Sequence, residues 1–290
     1  MDSTVLIQAL VSGLLFGGVF ALAAVGLTLI FGVLKIINFA HGEFLMLGMY
    51  LSFWLFSTLG FDPFVSLVVT LPVFFLVGAV IQRCLIDSVL QAREEMQILL
   101  TLGLSLFLQN LALTLWTPDS RTVNVSYVTS VVKIGAAYVS MPRLAAFISA
   151  VVISLGLYLF LKTTELGRAI RAASDSREGA LLVGIDVRRI YWITFGLGTA
   201  CAAAAGSIIT PFYFTSPYAG GIFTLTSFVV VVLGSLGNFV GALIGGLIIG
   251  VAEAMGEVFM TGSMKQVVTF VIFILVLLFR PEGLFGRRRS

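Results

Sequence analysis

Within "INFAHGEFLMLGMY", Asn38, His41 and Glu43 place an amide, the chain's only histidine and a carboxylate inside six residues, with long apolar sequence on both sides. Groups of these types could move protons, bind a cation or line a polar path. A metal site needs further ligands. The two cysteines, Cys84 and Cys201, lie far apart in apolar context and form no CxxC pair, so no metal role is read here. Two readings stay open. The stretch is a broken-helix element beside a translocation pathway, where irregular backbone lines a cavity. Or residues 35–43 form an ordinary cytoplasmic turn, with Asn38 capping the next helix and Glu43 favouring its N-terminal dipole.

Glu253 and Glu257 form a second ionisable pair, spaced i,i+4 and therefore on one helix face. They are candidates for a proton or cation site, or simply the outer end of a span. Asn238, in "GSLGNFVGALIGG", is read as structural. Catalysis finds no support. The dipeptide Gly-Lys does not occur, so there is no Walker A loop, and neither HExxH, nor GxSxG with a partnering histidine, nor a Cys/His cluster is present. No catalytic residue, cofactor or metal is expected. Work against a gradient must draw on another subunit or on an ion gradient.

The elements that position these groups follow from composition. Of 290 residues, 59% are hydrophobic and only 11% charged, with a mean hydropathy of +1.10. A soluble domain carries about 25% charged residues. Runs such as "VVTFVIFILVLLF" are apolar all round, which excludes the alternating strands of a membrane β-barrel. The fold class is all-α, a polytopic integral membrane protein, read as one permease domain over 1–290. The start, "MDSTVLIQAL", lacks a basic n-region, so the first apolar segment is expected to stay in the mature protein. A net charge of +3 argues for no nucleic-acid partner.

Nine candidate spans are read at 5–34, 43–59, 63–86, 96–116, 143–162, 190–212, 220–236, 239–259 and 264–279. The second and seventh are short, which leaves eight or nine crossings. With the N-terminus outside, only Arg121, Lys133, Arg143 and Lys265 of the 17 basic residues fall on the outer side. The positive-inside rule therefore predicts a periplasmic N-terminus and a cytoplasmic C-terminus.

Two connections are long. The outer one, 117–142, alternates β-branched and aromatic residues and predicts a hairpin. The inner one, 163–189, reads "TTELGRAIRAASDSREGALLVGIDVRR" and has helical periodicity, with Gly184 as a C-cap and Gly179 breaking it into two short helices. A lipid-surface helix, a loop helix packed on the bundle and a docking element all fit that pattern. GxxxG spacings at Gly13 and Gly17, at Gly237, Gly241 and Gly245, and at Gly246 and Gly250 predict close helix seams. An Asn-Phe followed by a small-residue helix recurs in both halves, a faint echo of an inverted repeat.

"GLTLIFGVLKIINFAHGEFLMLGMY" resembles the N-terminal signature of the smaller, LivH-type inner-membrane permease subunits of branched-chain amino acid ABC importers. "ELGRAIRAASDSREGALLVGIDVRR" and "VVLGSLGNFVGALIGGLIIGVAEA" resemble that family's cytoplasmic loop and glycine-rich C-terminal span. The resemblance implies a second, larger permease subunit, two cytoplasmic ATPase subunits and a periplasmic solute-binding protein. It implies that the 163–189 loop couples to the ATPase, with Gly167, Arg168, Ala169, Arg171, Ala172, Ala180 and Gly184 as candidate contacts. Asn38, His41 and Glu43 are then gate or pathway candidates. Urea or short-amide permeases share much of the signature, and an ion-coupled secondary transporter using Glu253 and Glu257 is the alternative from another class.

Overall fold

A helix that turns leucine, valine and phenylalanine outwards needs a solvent as apolar as itself. Val68 is 76% exposed, Leu99 62%, Val152 62% and Phe279 74%, each on a different helix. The computed structural model describes residues 3–134, 137–259, 265–280 and 282–286. The arginines at 287–289 lie outside them, as do Gly135 and Ala136.

The helices are α1 (Ser3–Leu34), α2 (His41–Leu59), α3 (Leu67–Cys84), α4 (Glu94–Trp116), α5 (Met141–Thr163), α6 (Glu165–Asp175), α7 (Arg177–Leu182), α8 (Val187–Ile209), α9 (Ala219–Gly234), α10 (Phe239–Phe259) and α11 (Lys265–Phe279). The nine apolar ones fall at the nine expected spans. Among the described residues seven are long and apolar enough to cross a membrane. The short ones are α9 and α11. The second span, expected to be short, has 19 residues, because His41 and Gly42 begin the helix ahead of the apolar run.

The centre of the bundle is built from small residues. α1 and α8 are its most enclosed helices, and Ala202, Ala203, Ala204 and Ala205 of α8 have no exposed surface. Along this small-residue stretch α8 lets three neighbours approach. A Cβ on Gly26 of α1 would lie 2.5 Å from the Gly198 carbonyl oxygen. One on Gly48 of α2 would collide with the Ala203 carbonyl, and one on Gly78 of α3 with the Thr199 hydroxyl. The predicted seams are real and divide their work: Gly13 and Gly17 of α1 face Gly250 and Gly246 of α10, while Gly241 packs on Gly234 of α9. Close backbone contact of this kind replaces the hydrophobic drive that lipid does not supply.

At one end, β1 (Val131–Ile134) and β2 (Ala137–Ser140) form the expected hairpin, antiparallel with Val131 opposite Ser140. Gln8 of α1 clamps it, donating from Nε2 to the Tyr138 carbonyl at 2.7 Å and accepting the Tyr138 N–H at 2.8 Å. The Tyr127 hydroxyl donates to Asp62 Oδ2 at 2.5 Å. Burial, the hydrogen bond and the Asp62 charge all push the Tyr127 phenol well above its ordinary range. At the other end lie α6 and α7. The chain's basic residues concentrate there, and Arg188 ties the start of α8 to Asp87 at 2.7 Å.

Candidate functional site

The break at "NFAH" lies deep inside the bundle. α1 ends at Leu34, and Lys35 takes the left-handed conformation, φ 59°. Residues 36–40 then run back along α1, with Ile36, Asn38 and Ala40 buried. His41 starts α2 level with Ala23, whose carbonyl accepts from His41 Nε2 at 2.9 Å. That bond requires the proton on Nε2. Gly26 makes room for the imidazole: a Cβ there would lie 3.2 Å from His41 Cε1. Gly26 also touches Gly198, midway along the 23 residues of α8. Of the two open readings, the broken-helix element fits this geometry and the cytoplasmic turn does not: the stretch is a mid-depth junction. Asn38 does not cap α2 either; Ala40 holds that position with no side-chain cap. Asn38 Oδ1 accepts the Ala40 N–H at 3.1 Å and shapes the turn before it.

α9 opens at the same depth. The Gly42 N–H donates to Thr224 Oγ1 at 2.9 Å, and Thr224 donates on to the Gly220 carbonyl at 3.0 Å. Gly220, in the first turn of α9, carries the Glu43 carboxylate against its Cα; a Cβ there would overlap Glu43 Oε2. Ser105 of α4 donates to Glu43 Oε1 at 3.1 Å. Glu43 is also in the first turn of α2. Its carboxylate thus sits beside two helix N-termini, whose dipoles favour negative charge. The two helices leave this point in opposite directions, α2 towards the hairpin end and α9 towards the α6–α7 end. Asn38, His41 and Glu43 each keep one polar atom without a partner among the described residues: Nδ2, Nδ1 and Oε2 respectively.

The inner arm is built from consecutive caps. Thr164 Oγ1 accepts the Gly167 N–H at 3.0 Å, Ser176 Oγ accepts the Gly179 N–H at 3.0 Å, and Asp186 Oδ1 accepts the Arg189 N–H at 3.1 Å. The break between α6 and α7 thus falls at Ser176, whose extended backbone (φ −153°, ψ 115°) ends one helix and caps the next. Gly179 lies within α7. Gly184 has φ +81°, and the Ile185 N–H reaches back to the Ala180 carbonyl at 3.0 Å, a Schellman stop.

Of the coupling candidates, Arg168, Arg171 and Gly184 are exposed, Ala169 and Ala172 are half-buried, and Gly167 and Ala180 face inwards. Gly167 is glycine because α6 folds onto the end of α5, where a Cβ would meet the Leu161 carbonyl. Arg168 pairs with Glu165 at 2.8 Å. The large apolar residues the arm exposes most are Leu182, at 88%, and Val183, at 74%.

Glu253 and Glu257 lie in the last two turns of α10. Thr269 Oγ1 of α11 donates to Glu253 Oε1 at 2.9 Å. Glu257 borders an open cavity at the hairpin end, with Lys133 and Arg143. Neither carboxylate reaches the mid-depth junction. Asn238 keeps its structural role, its Oδ1 accepting the Gly241 N–H at 3.0 Å at the start of α10.

The family model described as branched-chain amino acid transport system / permease component matches residues 9–277. The chain belongs to that permease family. It is 33% identical to the high-affinity branched-chain amino acid transport system permease protein LivH of Escherichia coli K12 over 97% of this chain and 96% of that one. Identity to the corresponding protein BraD of Pseudomonas aeruginosa is 33%, again over 97% and 96%. The ribose import permease protein RbsC of Bacillus subtilis is 34% identical, but over 44% of this chain and 42% of its own. No solved structure matches.

In this permease, sequence reasoning missed Ser105, Gly220 and Thr224 at the junction, and Leu182 and Val183 on the arm. Serines, threonines and glycines are too common in membrane helices to stand out singly. Two large apolar residues just before a glycine C-cap, in an otherwise charged loop, were the available signal for the arm.

Proposed function

We propose that the chain is the smaller permease subunit of an ATP-driven importer that carries branched-chain amino acids into the cytoplasm. ATP is hydrolysed by separate subunits, and the chain works with a second permease subunit and a periplasmic solute-binding protein. It lies in the bacterial inner membrane with the hairpin end periplasmic and the α6–α7 end, rich in arginine, cytoplasmic. The end-to-end similarity to LivH and BraD supports the substrate class, whereas the similarity to the ribose permease covers less than half of the chain.

The observation that carries the coupling role is the arm. Two side-chain caps and a Schellman stop make α6 and α7 stiff, and the stiff piece ends in an exposed apolar tip at Leu182 and Val183. A rigid lever passes on displacement that a loose loop would absorb. Arg168 and Gly184 are the exposed candidate contacts for the ATPase that remain beside this tip, whereas Arg171 lines a cavity against α1 and α5. Asn38, His41 and Glu43 are buried inside one chain, so their part is to hold the mid-depth junction on which a gate would turn rather than to touch solute.

Substrate class is tested on the whole importer in cells, by uptake of labelled leucine in competition with isoleucine, valine, urea and ribose. The proposal expects the aliphatic amino acids to compete and urea and ribose not to. Competition by urea alone would reassign the importer to short amides.

A further inference from the structure

A trough runs along the outside of the bundle. α5 and α10 both pack on α1, and between them lie two cavities of about 310 Å³ each, which meet at Tyr158. One is almost wholly apolar, floored by Gly18 and Ala21 and walled by Phe147, Val151 and Leu247, with Ser154 and Tyr158 its only hydroxyl-bearing residues. The other opens at the α6 end, beside Lys162 and Arg171. Lys162 Nζ stands 5.8 Å from the centroid of the Tyr158 ring. Neither cation makes an ion pair among the described residues, since Glu165 is taken by Arg168, and no carboxylate lines either cavity.

The dimensions are those of one lipid. Phe147 and Tyr158 are eleven residues apart on α5, about 16 Å at 1.5 Å per residue, against about 15 Å for half of a 30 Å hydrocarbon core. With Tyr158 five residues from the inner end of α5 at Thr163, its ring would stand close to where hydrocarbon meets headgroup. The two cations lie beyond it, where a phosphate would be. A protein partner would not need this order of apolar trough, aromatic ring and positive mouth. We propose that this trough binds an anionic phospholipid, with its acyl chain between α5 and α10 and its headgroup phosphate on Lys162 and Arg171. Assigning it to the cytoplasmic leaflet rests on the orientation proposed above; the binding itself does not.

The test is native mass spectrometry of the purified importer complex, delipidated and offered equal phosphatidylglycerol and phosphatidylcholine. The expected result is about a tenfold preference for phosphatidylglycerol, in line with two basic residues at a membrane surface. The preference is lost in the Lys162→Ala, Arg171→Ala double variant, and retained lipid of either kind is lost when Val151→Trp fills the trough. Val151 is 46% exposed and Leu155 53%, so Leu155→Trp serves if the first blocking variant does not assemble. Equal retention by wild type and variants, or no preference in wild type, would overturn the proposal. So would cross-linking of Val151→Cys to the second permease subunit, which would make the trough a subunit interface. The readout counts lipid and not transport, so it fails separately from the importer reading.

Discussion

Glu43 is 1% exposed inside an apolar bundle and makes no ion pair among the described residues. Its one hydrogen bond comes from the Ser105 hydroxyl, and its carboxylate lies at the first turns of α2 and α9, whose dipoles favour negative charge. Gly220 is the permissive residue, because any side chain there would occupy the carboxylate's place. Gly221, its neighbour, has open space around it. Gly220→Ala is therefore expected to destabilise the protein by about 1–3 kcal/mol, the usual cost of overpacking, and to cut uptake sharply, while Gly221→Ala stays near wild type. Thermal unfolding in detergent beside an uptake assay checks this. Equal behaviour of the two would remove the carboxylate from the junction. Asn38, His41 and Glu43 were legible because amide, imidazole and carboxylate are rare in such a sequence. Their depth was not legible, since a chain that doubles back from Lys35 has the same composition as a surface turn.

Among the elements, the arm carries the most specific expectations. Gly184 has nothing near its Cα, so substitution there meets strain and not collision. A left-handed residue with a Cβ costs about 1–2 kcal/mol, and asparagine tolerates the position better than a β-branched residue. Gly184→Val is expected to leave the bundle folded but to loosen the tip, giving ATP hydrolysis with reduced uptake per ATP; Gly184→Asn is expected to remain coupled. Leu182→Asp should weaken capture of the ATPase subunits at least about tenfold, the size of a central apolar anchor. Pull-down and the ratio of uptake to ATP hydrolysis read both effects. Unchanged capture by Leu182→Asp would move the docking surface elsewhere. The spans themselves could be read from nine apolar runs. The finer joints could not: Ser176 marks the break in the arm by capping, a role that serine shares with many surface positions, and α9 is short because its chain enters from the hairpin end through residues 210–218, where Thr215 pairs with Arg121.

At the scale of the whole molecule, glycine and alanine seams join α1, α8 and α10 into a tight centre, while α2 and α9 open at one mid-depth point and leave it in opposite directions. Such a centre moves as packed pieces with discrete arrangements rather than by continuous bending. The exposed arm is where an outside force would enter. The GxxxG spacings announced the seams; which helix met which depended on the path of the chain through space. The central claim, that this path is driven by a motor on separate subunits, is tested most directly in proteoliposomes holding both permease subunits, with the binding protein and labelled leucine on the hairpin side. Accumulation is predicted only when the ATPase subunits and ATP are present on the α6–α7 side. Uphill accumulation by the permease subunits alone, under a proton or sodium gradient, would contradict the account.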